Sequence, residues 1–250
     1  MKLCKIEKVV LCMVITVAAS LAMPMKASAM HIMEGYLPLG YSIIWGIVCI
    51  PFLAMGIIRL RRTVKESKRS LILLAMSGAF IFVISSLKIP SVTGSCSHMT
   101  GTGLAAILFG VSTTSILGII VLIFQAILLA HGGLTTLGAN TFSMAIAGPV
   151  LTWLLFRIGK KLKINPLVNV FIAAALGDLF TYCVTSIQLA LAHPSEIGGV
   201  GASAVKFLGV FAPTQLPLAI VEGFLTVLII MGMENFAAKE LTDISFMEAK

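Results

Sequence analysis

Apolar segments separated by short polar stretches run along almost the whole chain. After a leading segment, the apolar runs cover approximately residues 41–58, 71–88, 102–130, 139–157, 167–192 and 213–233. A helix that crosses a bilayer needs about 20 apolar residues, because the hydrocarbon core is about 30 Å thick. The pattern therefore predicts an all-α integral membrane protein, in which residues 30–250 form a single membrane domain with short loops.

The leading segment, residues 1–29, has the three parts of a secretory signal peptide. They are a basic start, an apolar stretch and a small-residue cleavage motif: Lys2, Lys5 and Lys8; residues 9–23; and Ala27-Ser28-Ala29. The apolar stretch is short for a membrane span. We therefore expect cleavage after Ala29, which would leave Met30 as an extracytoplasmic N-terminus. An uncleaved first transmembrane helix is the alternative.

Two basic clusters, at residues 59–69 and 157–163, fix the expected orientation. Lys and Arg are enriched in cytoplasmic loops, so both clusters are expected inside the cell. With the N-terminus outside, that requires residues 102–130 to enter the membrane and return, and the Ser-Thr-Thr-Ser run at 112–115 offers a turn. This segment gives only about 43 Å of helix, less than two spans. We predict seven helices after processing, with six plus a re-entrant segment as the alternative, and a cytoplasmic C-terminus.

The composition excludes several other classes of protein. The chain is 58% hydrophobic and 11% charged, whereas soluble domains carry about 25% charged residues. The net charge of +8 comes from clusters between apolar runs and not from a basic face, which disfavours nucleic-acid binding. The five cysteines show no CxxC spacing, which disfavours a disulfide framework. No Walker A motif, nucleophile elbow or HExxH motif occurs, so we expect neither ATP hydrolysis by this chain nor catalysis.

A processed chain would carry a histidine at its second position, behind a free α-amine. The amine of Met30 and the backbone and imidazole nitrogens of His31 can bind one metal ion through a five-membered and a six-membered ring. Three nitrogens in one plane suit Ni(II), Cu(II) and low-spin Co(II) better than Zn(II) or Mg(II). The start of the mature chain, residues 30–38, is therefore a predicted metal-binding segment, and its affinity should rise with pH as the amine loses its proton.

The fourth nitrogen is predicted to come from His98, in the loop formed by residues 89–103. This loop is rich in Gly, Ser and Thr, so its backbone can turn tightly and its hydroxyls can orient ligands. The orientation argument places it on the same side of the membrane as Met30. Cys96 is a soft donor that would favour Cu(I) or Zn, and we expect it to support the site without binding the metal. An ordinary polar loop is the alternative.

The remaining polar residues allow two interpretations. His131 and His193 are expected to be interfacial polar residues at helix ends. Acids within apolar runs are costly and are functional candidates by default, although hydrogen bonds between helices are an equal alternative. The polar residues within the runs are Asn140, Asp178, Gln215 and Glu222.

The chain resembles the CbiM/NikM family, the metal-specific substrate-binding components of energy-coupling factor (ECF) transporters. Three stretches carry the resemblance: Met30-His31-Ile32-Met33-Glu34-Gly35-Tyr36-Leu37-Pro38, residues 91–101, and His131-Gly132-Gly133-Leu134-Thr135-Thr136-Leu137-Gly138-Ala139-Asn140. The last two look like the cobalt branch, and the resemblance covers essentially the whole mature chain. One departure is Met99, where the family pattern has proline, and it should alter the stiffness of the loop without removing the ligand.

This resemblance implies both the site and the partners. It implies metal ligation by Met30, His31 and His98, a core of six helices plus one, and cobalt import for cobalamin synthesis in the plasma membrane of a prokaryote. It also implies a small membrane subunit, a transmembrane coupling subunit and cytoplasmic ATPases as partners. No catalytic cofactor is expected, since the bound Co(II) is the transported substrate.

Three alternatives stay open at this stage. The ligand types alone do not separate Co(II) from Ni(II). A second function is an intramembrane hydrolase that uses His98 with Ser95 or Ser97, although no triad order is identifiable. A third is a carrier that works without partners.

Overall fold

The computed structural model describes residues 31–66, 68–90, 96–244 and 246, and most of them are helical. The helices are α1 (Leu39–Glu66), α2 (Ser70–Ser86), α3 (Thr102–Phe109), α4 (Val111–Leu128), α5 (Leu137–Lys161), α6 (Pro166–Ala192), α7 (Gly199–Phe236) and α8 (Ala238–Asp243). Within α5, α-helical Leu137–Asn140 and Gly148–Lys161 flank a π-helical segment, Thr141–Ala147. Two short strands, β1 (Ile89–Pro90) and β2 (Cys96–Ser97), pair antiparallel in the loop after α2.

Five of these helices are long and apolar enough to cross a membrane: α1, α4, α5, α6 and α7. The apolar helix α2 has 17 residues, about 26 Å at about 1.5 Å per residue. Large apolar side chains such as Ile44, Ile58 and Phe224 are exposed on the outer faces, where lipid replaces water as the solvent. The prediction of an all-α membrane protein is confirmed.

The predicted hairpin within residues 102–130 is present, but its turn lies elsewhere than we expected. The chain reverses at Gly110, whose φ of 78° lies in the left-handed region that glycine adopts most easily. Residues 112–115 belong to α4. The Thr114 hydroxyl donates to the Gly110 carbonyl at 2.9 Å, and the Ser115 hydroxyl donates to the Ser112 carbonyl at 2.8 Å. The hydroxyls that suggested a turn are therefore satisfied inside a helix.

The hairpin is asymmetric. Helix α3 has 8 residues, about 12 Å, which is too short to cross a bilayer by itself. It descends from the His98 loop to Gly110, and α4 returns until Gln125 meets Ser85 at 2.7 Å near the end of α2. This geometry resembles the re-entrant alternative, and the number of full crossings stays a prediction.

Helix α7 begins earlier than the apolar run at 213–233 predicted. It spans 38 residues and contains Pro213 and Pro217. Gly198 and Gly199 at its start have positive φ, and the residues that follow them form the first turns of the helix. At about 57 Å, α7 extends beyond the thickness of a bilayer.

The two ends of the helix bundle differ in chemistry. Arg59 of α1 and Arg157 of α5 line one cavity at the end where α5 finishes, while the loops that carry His31 and His98 lie at the other end. The two basic clusters thus share one end of the bundle, as predicted, and the assignment of that end to the cytoplasm stays a prediction. Near it, Leu241 of α8 and Phe246 are buried in the core against Phe156.

The predicted signal peptide and Met30 lie outside the described residues. The same holds for residues 91–95 of the loop predicted to carry the fourth ligand. His31 and His98 are both described.

Candidate metal centre

Three buried histidines converge at one end of the bundle: His31, His98 and His131. Each offers a ring nitrogen, and these nitrogens all lie within 4.8 Å of one another. The ring centroids are 4.4 Å apart for His31 and His98, and 4.5 Å for His31 and His131. The three residues come from three separate segments, namely the start of the described chain, the loop before α3 and the loop before α5. This is the only group of metal-binding side chains of this kind among the described residues.

The segment after His31 is clamped to the start of α5. Asn140 accepts a hydrogen bond from the Ile32 amide at 2.8 Å and donates its own amide to the Ile32 carbonyl at 3.0 Å. Thr136 Oγ1 donates to the same carbonyl at 2.7 Å. The Ile32 side chain is buried against Leu37 and Phe211. Three hydrogen bonds and an apolar anchor therefore fix the backbone beside His31.

Two glycines let this segment approach the loop before α5. A Cβ on Gly133 would lie 2.3 Å from the Glu34 carboxylate and 2.7 Å from its Cα, so only glycine fits there. Gly132 has a φ of 75°, and its carbonyl accepts from the Glu34 amide at 3.2 Å. The stretch His131-Gly132-Gly133 therefore brings the third histidine up to the N-terminal segment by close backbone contact.

One ring nitrogen of His98 has a free lone pair that faces His31. Nδ1 of His98 lies 2.8 Å from the carbonyl of Met99, so it carries the proton and donates to that oxygen. Nε2 then bears a lone pair, and it contacts Nδ1 of His31. A hydrogen bond that fixes the tautomer in this way is typical of metal-binding histidines. The Nε2 atoms of His31 and His131 have no hydrogen-bond partner among the described residues.

Burial keeps the histidines neutral. It lowers the pKa of His98 to about 4. It also lowers the pKa of His31 well below the usual value, helped by the neighbouring His98 and His131. For His131, burial and the proximity of His98 lower the pKa as well. At neutral pH all three imidazoles can therefore serve as nitrogen donors without first losing a proton.

Two buried carboxyl groups hold the loop that carries His98. The Thr100 amide donates to Glu222 at 2.6 Å and to Asp178 at 3.2 Å. Thr100 Oγ1 also donates to Glu222, at 2.9 Å. Both acids are at most 1% exposed and lie on α6 and α7. Their side chains thus contact interior donors of the same chain, one of the alternatives that the sequence left open.

Gln215 links the carboxyl groups of Asp178 and Glu222 to the loop that carries His98. Its Nε2 donates to Asp178 at 2.6 Å and to the carbonyl of His98 at 3.2 Å. The preceding residue, Thr214, shares a hydrogen bond of 2.7 Å with Ser97. Ser97, Thr100 and the carbonyl of His98 are therefore all tied to α7, which limits the freedom of the imidazole.

We expect that replacing Glu222 will weaken metal binding without contact between this residue and the metal. In Glu222→Leu the Thr100 hydroxyl loses its carboxylate partner, and a buried donor without a partner costs about 1–3 kcal/mol. Since about 1.4 kcal/mol is a tenfold change, we expect cobalt affinity to fall roughly tenfold. Isothermal titration of the purified variant with Co(II) measures this.

The conservative variant Glu222→Gln should recover most of the affinity, because an amide oxygen can accept from Thr100. Glu196→Leu, on an exposed loop, is the matched control and should bind like the wild type. Equal losses in Glu222→Leu and Glu222→Gln would contradict a positioning role.

The structure brings together two of the three predicted metal ligands, His31 and His98, and adds His131, which we had expected to be an interfacial residue. Met30 lies outside the described residues, as does the side chain of Cys96. His193 is exposed and lies apart from the cluster, with its Nε2 2.8 Å from the carbonyl of Tyr36. Ser97, a candidate nucleophile in the hydrolase alternative, bonds to Thr214 and not to His98.

Comparisons with known proteins point to one family. The family model CbiM, described as the cobalt uptake substrate-specific transmembrane region, matches residues 31–239. The cobalt transport protein CbiM of Lachnoclostridium phytofermentans is 65% identical over 94% of this chain and 95% of that protein. The cobalt transport protein CbiM of Ruminiclostridium cellulolyticum is 50% identical over 98% of this chain and 99% of that protein.

The fold of the chain also matches that of solved structures. A crystal structure described as a truncated transition metal transporter matches with a TM-score of 0.72 at 26% identity, and covers 82% of this chain and 99% of that one. The fold of this chain is therefore shared with a transporter of transition metals, and the buried histidine cluster lies within the region that the family model matches.

Proposed function

Because this chain belongs to the CbiM family of cobalt-uptake transmembrane proteins, we propose that it is the subunit that captures Co(II) outside the cell for an ECF-type importer. It is a component of a transporter and not an enzyme. The observation that carries the proposal is the contact between Nδ1 of His31 and Nε2 of His98. These are the two imidazole atoms that a chelate at the mature N-terminus requires.

The proposed site is a plane of four nitrogens. Processing after Ala29 would supply the amine of Met30, and His31 would contribute its backbone nitrogen and Nδ1. His98 would complete the square with Nε2, whose lone pair is fixed by the bond from Nδ1 to Met99. The family match begins at His31, next to the predicted cleavage point, and this supports a mature chain that starts at Met30.

His131 extends the predicted set of ligands. Its unpartnered Nε2 belongs to the same cluster, and the four positions of the plane are already filled by the other groups. We assign it the position above the plane, as a fifth nitrogen donor. Low-spin Co(II) accepts planar nitrogen sets, and an added donor at right angles to the plane would contribute to its retention.

Cobalt is the proposed cargo, and ATP acts elsewhere. The preference for cobalt over nickel rests on the family and on the names of the relatives, because nitrogen donors in a plane suit both ions. The chain itself offers no nucleotide-binding motif. A transmembrane coupling subunit, cytoplasmic ATPases and a small membrane subunit are the proposed partners in the plasma membrane, and the imported metal would supply cobalamin synthesis.

The decisive experiment is metal analysis of the processed chain purified without partners. We expect one tightly bound Co(II) per chain, no ATP hydrolysis and no transport in vesicles, because the proposed partner subunits hydrolyse the ATP that drives transport. Elemental analysis, competition with Ni(II) and mass spectrometry of the N-terminus measure these properties. Transport by the chain alone would contradict the proposed division of labour, and an intact leader on cobalt-loaded protein would contradict the chelate.

A further inference from the structure

A large cavity opens at the basic end of the bundle, opposite the histidines. Its volume is about 770 Å³, within the range of about 300–1,000 Å³ typical of ligand sites. It lies between the turn at Gly110 and the last turns of α5. The metal centre uses none of its residues, so it belongs to a different part of the molecule.

Cationic groups and an indole surround the mouth of this cavity. Arg59 comes from α1, while Arg157 and Lys161 come from α5, and all three are exposed. The guanidinium of Arg157 lies 4.2 Å above the ring of Trp153. No acidic side chain is among the described residues that line the cavity. The mouth therefore presents a concentrated positive charge.

Two hydrogen-bond donors of this mouth lie beside Gly110. Nη1 of Arg59 and Nε1 of Trp153 each lie 3.8 Å from the position that a Cβ on Gly110 would take. The absence of a side chain at Gly110 leaves this point open to both donors. A guanidinium and an indole N–H at the same cavity mouth are well suited to the oxygens of a phosphate group.

The inner wall of the cavity is apolar, which a soluble anion would not require. It is formed by Ile107, Leu108 and Phe109 of α3 and by Phe156 of α5. On the outer surface of α5, Leu154 and Ile158 are 45% and 42% exposed, and each directly follows one of the cavity residues Trp153 and Arg157 in sequence. Apolar surface is therefore present both in the cavity and on the exposed face of the same helix.

We propose that this cavity binds an anionic phospholipid, with its phosphate between Arg59, Arg157 and the Trp153 indole and its acyl chain against the apolar wall. Arg, Lys and Trp are the side chains enriched where a helix meets the headgroup layer. An acidic segment of a partner protein could match the cations, but it would leave the apolar wall uncovered. The lipid matches both surfaces.

The experiment measures lipid binding to the full processed chain in detergent. Native mass spectrometry would follow the retention of phosphatidylglycerol against phosphatidylcholine with the same acyl chains. A Trp45→Phe background leaves Trp153 as the reporter, since the chain has two tryptophans, and acyl-brominated phosphatidylglycerol should quench its fluorescence. We expect one retained phosphatidylglycerol, and at least tenfold weaker retention in the double variant Arg59→Gln/Arg157→Gln.

The control variant Arg61→Gln/Arg69→Gln removes the same charge from exposed positions outside the cavity and should retain the lipid. Cobalt affinity, measured in parallel, should stay unchanged in both double variants and would reveal misfolding. Equal retention of phosphatidylcholine, or wild-type retention by Arg59→Gln/Arg157→Gln, would overturn the proposal. Displacement of the brominated lipid by soluble glycerol phosphate at equal concentration would also overturn it, by assigning the cavity to a free phosphate.

Discussion

Adding one residue before Met30 of the processed chain is expected to abolish high-affinity cobalt binding. The addition converts the Met30 amine into a peptide nitrogen and moves the new amine away from His31. Losing an outer hydrogen-bond partner of a metal site costs about 10–100-fold in affinity, and removing a direct donor should exceed the upper end of that range. Titration with Co(II) of the extended and the native processed chains measures the difference.

The extended terminus can form a different planar metal site, which the experiment must distinguish from the proposed one. Its new amine, two backbone nitrogens and the His31 imidazole can themselves occupy a plane around Ni(II) or Cu(II), which would displace His98. Any residual cobalt on the extended chain should therefore be insensitive to His98→Gln.

Acetylation of the native amine removes the donor without adding a residue, and one residue added after Lys250 is the matched control. Undiminished, His98-dependent affinity in the extended chain would refute ligation by the terminal amine.

Replacing His98 is expected to have the second-largest effect. In His98→Gln the plane loses its fourth nitrogen, while the three donors of the terminus remain, so we expect a loss of roughly 100-fold or more in cobalt affinity. Glutamine has a similar volume, and the loop is still held by Thr100 and Gln215. The visible absorption spectrum of bound Co(II) should also change, because the number of nitrogen donors changes.

His193→Gln is the matched control for this variant. His193 lies at the same end of the bundle but is exposed, and its imidazole bonds to the Tyr36 carbonyl, a donor that glutamine can replace. Its cobalt affinity should equal that of the wild type. Comparable losses in the two variants would argue against a specific role for His98, and thermal unfolding without metal would show whether either variant is destabilised.

The two described residues of the proposed ligand set could be predicted from sequence because their chemistry is local. A histidine at the second position after a predicted cleavage site can chelate a metal ion together with the new terminal amine, and a histidine in a Gly/Ser/Thr-rich loop is an unusual feature between apolar runs. The all-α membrane fold was equally accessible, since hydropathy alone requires it. These predictions needed no knowledge of which segments touch.

His131 was missed because its role depends on a contact between distant segments. On its own, a histidine at the end of an apolar run has the properties of an interfacial residue. The available signal was the pair of glycines that follows it. Gly133 leaves no room for a Cβ against Glu34, so the pair marks a close approach of another backbone segment, which is the one that carries His31.

Boundaries within the membrane were harder to predict for a related reason. Residues 112–115 are polar and looked like a turn, yet the hydroxyls of Thr114 and Ser115 bond to backbone carbonyls three or four residues earlier, an option that sequence patterns do not reveal. The apolar run predicted a helix over residues 213–233, but α7 begins at Gly199 and continues through Pro213 and Pro217.

The clamp on Ile32 has a consequence for the maturation of the protein. Asn140 and Thr136 hold Ile32 at a fixed place, so only two residues separate this anchor from the proposed terminal amine. Under the proposed chemistry, a peptidase that cuts one bond too early or too late would release a chain that folds and inserts normally but carries no cargo. Leader removal then acts as a quality-control step, in which the accuracy of a single proteolytic cut decides how many of the transporters in a cell are functional.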